Sequence, residues 1–400
     1  MNGTLPDLER RLRDALYAEA ARARPELIRP VSLDLAARAD RPSMRSRRLR
    51  LMAPIAASCA VLALIAGIAL AGRPDAIRPA VSAGSGVPGY YVALVTSASP
   101  YTLTVQVRSS QTGKLLTSTR MDSAFGFGPS ITTADGRSFD VAAPATLHGK
   151  DVTRLLSLRV GNGGHSVRLT ALPIQPLSFG QVVSGLALSA DGTKLAIMAF
   201  HFNYARDEFG TAQLTVVSPA SGQQLGAWTT SAAGMASQPS WLAGGKLAFS
   251  WAAASAHPSG QDKPGVRLLD TAAAGGSLLS ARLLVPAQIA AGTIESALVS
   301  PDGHELLATV VSKKPSAGTS GTLTGRVVRL SAAGHVLQVL HSASARYTTQ
   351  VQQSQLSQAC EVMSADPSRQ NVLMTCWQFG RLAAGIFRHL PGSVAISAAW

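Results

Sequence analysis

Two hydrophobic textures divide the chain. From Leu51 to Gly72 the sequence LMAPIAASCAVLALIAGIALAG carries no charged side chain. Wound as a helix rising 1.5 Å per residue, it would reach roughly 30 Å, the thickness of a bilayer's hydrocarbon core. From Tyr90 onward the apolar residues instead come in short or alternating runs separated by turn formers. Thr102-Leu103-Thr104-Val105-Gln106-Val107-Arg108 alternates with a period of two, the mark of a half-buried strand. With Tyr90 to Val95 before it and the turn Gln111-Thr112-Gly113-Lys114 into Leu115 to Ser118 after it, this run predicts the start of an antiparallel meander. Before the long apolar run, Leu5, Leu8, Leu12 and Leu16 share one side of a predicted amphipathic helix. Thr4 is its N-cap, and Pro25 and Pro30 end it.

One strand-turn-strand unit recurs downstream. Thr133-Ala134-Asp135-Gly136 leads into Ser138 to Val141, Leu188-Ser189-Ala190-Asp191-Gly192 into Leu195 to Ile197, and Val299-Ser300-Pro301-Asp302-Gly303 into Leu306 to Ala308. Looser copies run from Trp241 through Gly244-Gly245 to Phe249 and from Met363 through Asp366-Pro367 to Met374. The interval is roughly 55 to 65 residues, enough for a four-stranded antiparallel sheet with its loops. Later hairpins, such as Leu214 to Val217 with Gln223 to Leu225, fit further strands of the same sheets. In each turn Gly accepts positive φ and Asp caps the turn with its own side chain. Calcium binding by these aspartates lacks further acidic ligands at metal-site spacing.

This unit resembles the blade repeat of TolB-like (WD-type) β-propellers over about residues 90–400. The resemblance implies an all-β fold of six blades, with seven as the alternative, but no particular activity. The layout of anchor and propeller is similar to single-pass membrane proteins of high-GC Gram-positive bacteria.

The predicted organisation is therefore a cytoplasmic basic segment with its amphipathic helix (1–50), a transmembrane helix (51–72), a Pro/Gly/Ser-rich linker (73–89) and an extracytoplasmic propeller (90–400). Arg45, Arg47, Arg48 and Arg50 precede the apolar run, whereas only Arg73 and Arg78 follow it closely, so the N-terminus is expected inside. Ala69-Leu70-Ala71 also fits a cleavage pattern, which leaves processing after Ala71 open. Net charge is +14. A basic total outside the cytoplasm does not argue for nucleic acid; it fits a surface poor in carboxylates or an affinity for anionic envelope polymers. Cys360 and Cys376 flank a predicted hairpin centred near Ser368, and an oxidising exterior would permit a cross-strand disulfide.

Catalytic signatures are sparse. There is no G-x-S-x-G elbow, and His304-Glu305 begins an H-E-x-x-H pattern that Ala308 breaks. Gly84, Gly86 and Gly89 match G-x-G-x-x-G by spacing, but Pro88 and the absence of a preceding strand disqualify them. No cofactor or metal is expected, and no catalytic residue is assigned. Trp228, Trp241, Trp251 and Trp377, four of the five tryptophans, are read as packing residues. The densest polar and aromatic stretch is a predicted insertion between two strands of one blade. It makes His201, Asn203, Tyr204, Arg206, Asp207 and Glu208 the candidate binding loop. The expected function is a membrane-anchored binding, scaffold or sensing module. Its partners would be membrane lipid around Leu51 to Gly72, a protein, peptide or envelope polymer outside, and a cytoplasmic protein at the N-terminal helix. An enzyme, hydrolytic or quinone-dependent, with dispersed catalytic residues is the competing reading.

Overall fold

The computed structural model describes residues 89–400 apart from 99–100, 123–129, 134–135, 179, 205, 207, 256–257, 259, 316–319, 349–359, 366–368, 370, 377–378, 384–385 and 391–396. The expected cytoplasmic segment, membrane helix and most of the linker lie outside the described residues, as do Asp135, Asp207 and Trp377. Among the described residues no helix is long and apolar enough to cross a membrane. The helices there are short 3-10 turns, and nearly everything else is strand.

The strands pair in chain order. β1 (Tyr90–Ala98), β2 (Tyr101–Ser109) and β3 (Leu115–Asp122) form the expected meander, with Leu103, Val105 and Val107 of β2 buried and the residues between them half-buried. β4 (Ser130–Thr133), β5 (Ser138–Leu147), β6 (Lys150–Val160) and β7 (Val167–Ala171) make the second sheet, and the short β8 (Leu177–Ser178) pairs with β6. β9 (Gln181–Leu188), β10 (Leu195–Asn203) and β11 (Glu208–Val217) follow, then β12 (Gln224–Trp241). β12 serves two ladders: Gln224 to Ala233 pairs with β11, and Gly234 to Trp241 pairs with β13 (Lys246–Ala253). β14 (Gly265–Asp270), β15 (Gly275–Ser277) and β16 (Arg282–Pro286) complete that group, β15 lying parallel to β12. Next come β17 (Gln288–Ile289), β18 (Gly292–Val299), β19 (Glu305–Pro315), β20 (Gly321–Ser331) and β21 (Val336–Tyr347). The last sheet is β22 (Cys360–Ala365), β23 (Asn371–Cys376), β24 (Phe379–Ala383) and β25 (Ile386–His389). Finally β26 (Ser397–Ala399) returns to β1, pairing Val92 with Ala399 and Leu94 with Ser397.

Each sheet buries both faces against its neighbours, so the second strands read as continuous apolar runs rather than alternating ones. Leu195 to Phe200 of β10 and Leu306 to Val311 of β19 are buried throughout. The seams form a closed circuit. Val105 and Phe139 meet in one cluster, Leu155 and Leu186 in the next, then Met198 with Phe249, Val266 with Val310, Val327 with Val362, and Leu373 with Tyr91. At the inner margin β26, β4, β9, β12, β18 and β22 neighbour one another in turn, and β22 neighbours β26 again.

The recurring turns join the inner strand of a sheet to the next strand, β9 to β10 and β18 to β19 among them. Gly136, Gly192 and Gly303 have φ of 66°, 70° and 76°, where a side chain would be strained. Ser189 Oγ donates to Asp191 Oδ1 at 2.5 Å and accepts from Lys194 N at 2.9 Å. Ser300 repeats this with Asp302 at 2.5 Å and Glu305 N at 2.9 Å. Thr133 takes the serine's place in the first copy, accepting Gly136 N at 3.0 Å.

Candidate functional site

Alternating strand direction puts these Ser-x-Asp-Gly turns at one end of the sheets and the second-to-third strand hairpins at the other. The candidate binding loop lies at that second end. It is a tight hairpin rather than an insertion: His201 to Asn203 end β10, Glu208 and Phe209 begin β11, and Asn203 pairs with Glu208. Arg206 N donates to Asn203 O at 3.1 Å across the turn. The ladder shifts here, with His201 opposite two residues of β11, Gly210 and Thr211, between the Phe200–Ala212 and Phe202–Phe209 pairs. A Cβ on Gly210 would lie 2.9 Å from the His201 Cβ.

Four rings assemble on this hairpin. Phe202 stands 5.1 Å from Tyr204 and 5.4 Å from Phe209, edge to face, and Phe200 lies 5.4 Å from Phe209. Phe200 is buried, whereas Tyr204 and Phe209 are 36% and 41% exposed. His201, Asn203, Arg206 and Glu208 are exposed around them, and Asp207 lies outside the described residues. Phe202 and Phe209 belong to the polar and aromatic stretch singled out in the sequence, and the structure places both in strands and adds Phe200 to their platform.

The second feature joins residues far apart in sequence. The six inner strands enclose a polar cavity of about 110 Å³, lined by Ile131, Ser184, Gln238, Leu298, Glu361 and Ser397 among others. Bulges at Ser184, at Gln238 with Pro239, at Glu295 and at Met363 break the inner ladders there. Gln238 adopts φ of 51°, rare for a residue with a side chain. Its Nε2 donates to Glu361 Oε1 at 2.8 Å and to Val362 O at 3.1 Å, while its Oε1 accepts Ala297 N at 2.8 Å. One amide thus ties three inner strands together. Ser296 Oγ accepts Val362 N at 3.1 Å and bonds Thr309 Oγ1 at 2.7 Å, reinforcing the same seam. Gly185 is required here, since a Cβ would come within 2.5 Å of Pro239. Burial pushes the Glu361 carboxyl above the usual carboxylate range, and the Gln238 hydrogen bond draws it back in part. Ser184 Oγ donates to Ala236 O. Chemically this is a polar lining with one carboxylate and one amide.

Among the described residues no group of three or more His, Cys, Asp or Glu is arranged to hold a metal ion. Trp228 and Trp251 are 3% and 2% exposed, and Trp241 donates from Nε1 to Ala187 O at 2.9 Å, so all three pack. Cys360 stands opposite Cys376 in the β22–β23 ladder, and Cys360 is disulfide-bonded.

No family model matches the chain, and no curated protein matches it. Among solved structures it is similar to hydrazine synthase of Kuenenia stuttgartiensis, at 13% identity and a TM-score of 0.39, over 76% of this chain and 77% of the other. It is similar to the β-propeller domain of the Trilobed protease of Pyrococcus furiosus at 11% identity and 0.37, over 76% and 92%. An acylaminoacyl peptidase of Pyrococcus horikoshii matches at 10% identity and 0.38, over 76% of this chain and 50% of the other. Likeness at this level carries no argument about activity. The fold rests on the strands themselves: antiparallel sheets packed face to face in a closed circuit, with the last strand completing the first sheet, make the described region a β-propeller.

Proposed function

We propose that this chain is a six-bladed propeller held outside the cytoplasm by the Leu51 to Gly72 helix, and that it works as a binding module for a protein, peptide or envelope polymer. Six blades follow from splitting the long β12 between two four-stranded sheets, as its two ladders suggest. The observation that carries the binding reading is the β10–β11 hairpin, where Tyr204 and Phe209 leave aromatic surface open beside His201, Arg206 and Glu208. Rigid rings with an apolar face and a polar border are the groups that dominate recognition surfaces. Signalling to the cytoplasm through residues 1–50 is an extension of this reading.

The test is site-specific photo-crosslinking in native membranes. A crosslinker at Glu208 should yield a discrete adduct that disappears in the Tyr204→Ala, Phe209→Ala double variant. The same group at Thr193, in a turn at the opposite end, should yield none. Equal labelling from both positions, or an adduct indifferent to the double variant, sinks the assignment. Protease added to intact cells addresses the placement: loss of the C-terminal region is expected, and its survival until the cells are permeabilised would overturn the orientation.

A further inference from the structure

Three arginines of the described region are withdrawn from solvent, Arg267 and Arg381 buried and Arg369 half-buried, and they differ in the partners they meet. Arg267 is 3% exposed, and its guanidinium donates to Leu279 O, Ala281 O, Gln261 O and Lys263 O. Arg369 donates to Leu298 O and Val299 O, with Asp302 and Glu305 near enough to favour its charge. Arg381, 7% exposed on β24, has neither. Its buried Nε lacks an acceptor, as that of Arg267 does, but unlike Arg267 and Arg369 it places no guanidinium nitrogen on a carbonyl among the described residues. The charge that acts on it is a like one: Arg388 of β25 stands directly opposite in the ladder.

Two cations facing one another across a strand pair repel, and a buried cation without a counter-charge is among the most expensive groups in a folded protein. Such an arrangement persists where something neutralises it. Arg381 pairs in register with Leu373 and follows Phe379 by two residues, so it shares their side of the sheet, the one packed against Tyr91 of the first sheet. Trp400 lies in the same seam, 4% exposed, and its Nε1–H is a second buried donor without an acceptor. Among the described residues, unused donors and uncompensated positive charge thus occur together where the last and first sheets meet.

We propose that this seam is an anion site in which Arg381 and Arg388 together hold one phosphate-type oxyanion group. A guanidinium can present two parallel N–H donors to such a group, and the two arginines would share its charge. The oxyanion could be carried by a free ion or by a phosphate-bearing envelope polymer; the chemistry recognised is the same. The site is independent of the aromatic hairpin and stands or falls separately from it.

The experiment uses the full-length chain in detergent, with thermal midpoints recorded against sodium phosphate and, separately, linear polyphosphate, at ionic strength held constant with chloride. The native chain should show a saturable rise of a few degrees at concentrations well above Kd. Arg388→Gln, at an exposed position, should fold normally and bind about tenfold more weakly. Arg381→Met replaces a buried charge by an apolar chain of similar length, so it should be at least as stable as the native chain in phosphate-free buffer and flat in phosphate. If that variant does not fold, Arg388→Gln carries the comparison alone. A response to inorganic phosphate assigns a free ion, and a response to polyphosphate alone assigns a polymer-borne group. No response to either beyond that of chloride, or variants that follow the native curve, overturns the proposal.

Discussion

Replacing Gln238 tests whether one side chain holds the centre of the ring together. In Gln238→Ala the Ala297 N–H, buried beneath the inner strands, loses its acceptor, and an unsatisfied buried donor costs about 1–3 kcal/mol. The bond to Glu361 is lost as well, and at pH values where that carboxyl is ionised a hydrogen bond to a charged group contributes about 1.5–3 kcal/mol. Allowing for some relaxation, the variant should be less stable by about 3–5 kcal/mol, which for a domain of this size lowers the midpoint by about 6–10 °C. The backbone adds a control. At φ of 51° alanine is strained and glycine is not, so Gln238→Gly should be about 1 kcal/mol less destabilised than Gln238→Ala, although it removes more of the side chain. A third handle is pH. The Gln238 bond favours the ionised form of Glu361, so the deficit of Gln238→Ala should be larger at pH 8 than at pH 5. The assay is thermal unfolding followed by tryptophan fluorescence at both pH values. An alanine variant within 1 °C of the native midpoint, or a glycine variant less stable than the alanine one, refutes the role given to Gln238.

Glu361→Gln makes the opposite change. Because the folded-state pKa of Glu361 is raised, the folded protein retains a proton that the unfolded chain releases, and native stability falls as pH rises above the ordinary glutamate value of 4.5. The Gln variant lacks that penalty, so its midpoint should gain on the native one between pH 4 and pH 8; parallel curves would show that the carboxylate is not desolvated. Asp191 and Asp302 have the reverse sign: hydrogen bonds from Ser189 and Ser300, then from the following backbone, hold both carboxyls below the usual range. Their contribution is present above the unfolded aspartate value and is lost as pH falls through the folded one, so Asp302→Ala should narrow its gap to the native protein in acid melts. For the cysteines, the mass of the unreduced chain after alkylation should show Cys360 and Cys376 unmodified, and Cys376→Ser should destabilise by about 3 kcal/mol, as for a closed loop of about 15 residues.

The periodic features of this fold were legible because they are local. Alternation in Thr102 to Arg108 and the Ser-x-Asp-Gly turns depend on neighbours a few residues away, and they located strand pairs that the structure contains. The axial network was not legible, because Gln238, Ala297 and Glu361 become neighbours only when successive sheets are wound into a circle. Two weak signals existed: a proline next to Gln238 inside a strand, which bulges accommodate, and a carboxylate in the otherwise apolar Cys360 to Met363 run. The hairpin at Asn203 read as an insertion because its polar residues masked strand pairing that continues to the Asn203–Glu208 pair.

The return of β26 to β1 has a consequence for how the protein is made. Until residues 397–399 have left the ribosome, the Tyr90 sheet lacks its inner member and exposes the backbone groups of Val92 to Leu94. Intermediate sheets are covered as their successors form, but the first sheet keeps its Tyr91 side and its inner edge open until the strands from Cys360 to Ala399 are made. Removing Ser397 to Ala399 would leave an open horseshoe rather than a slightly shorter ring.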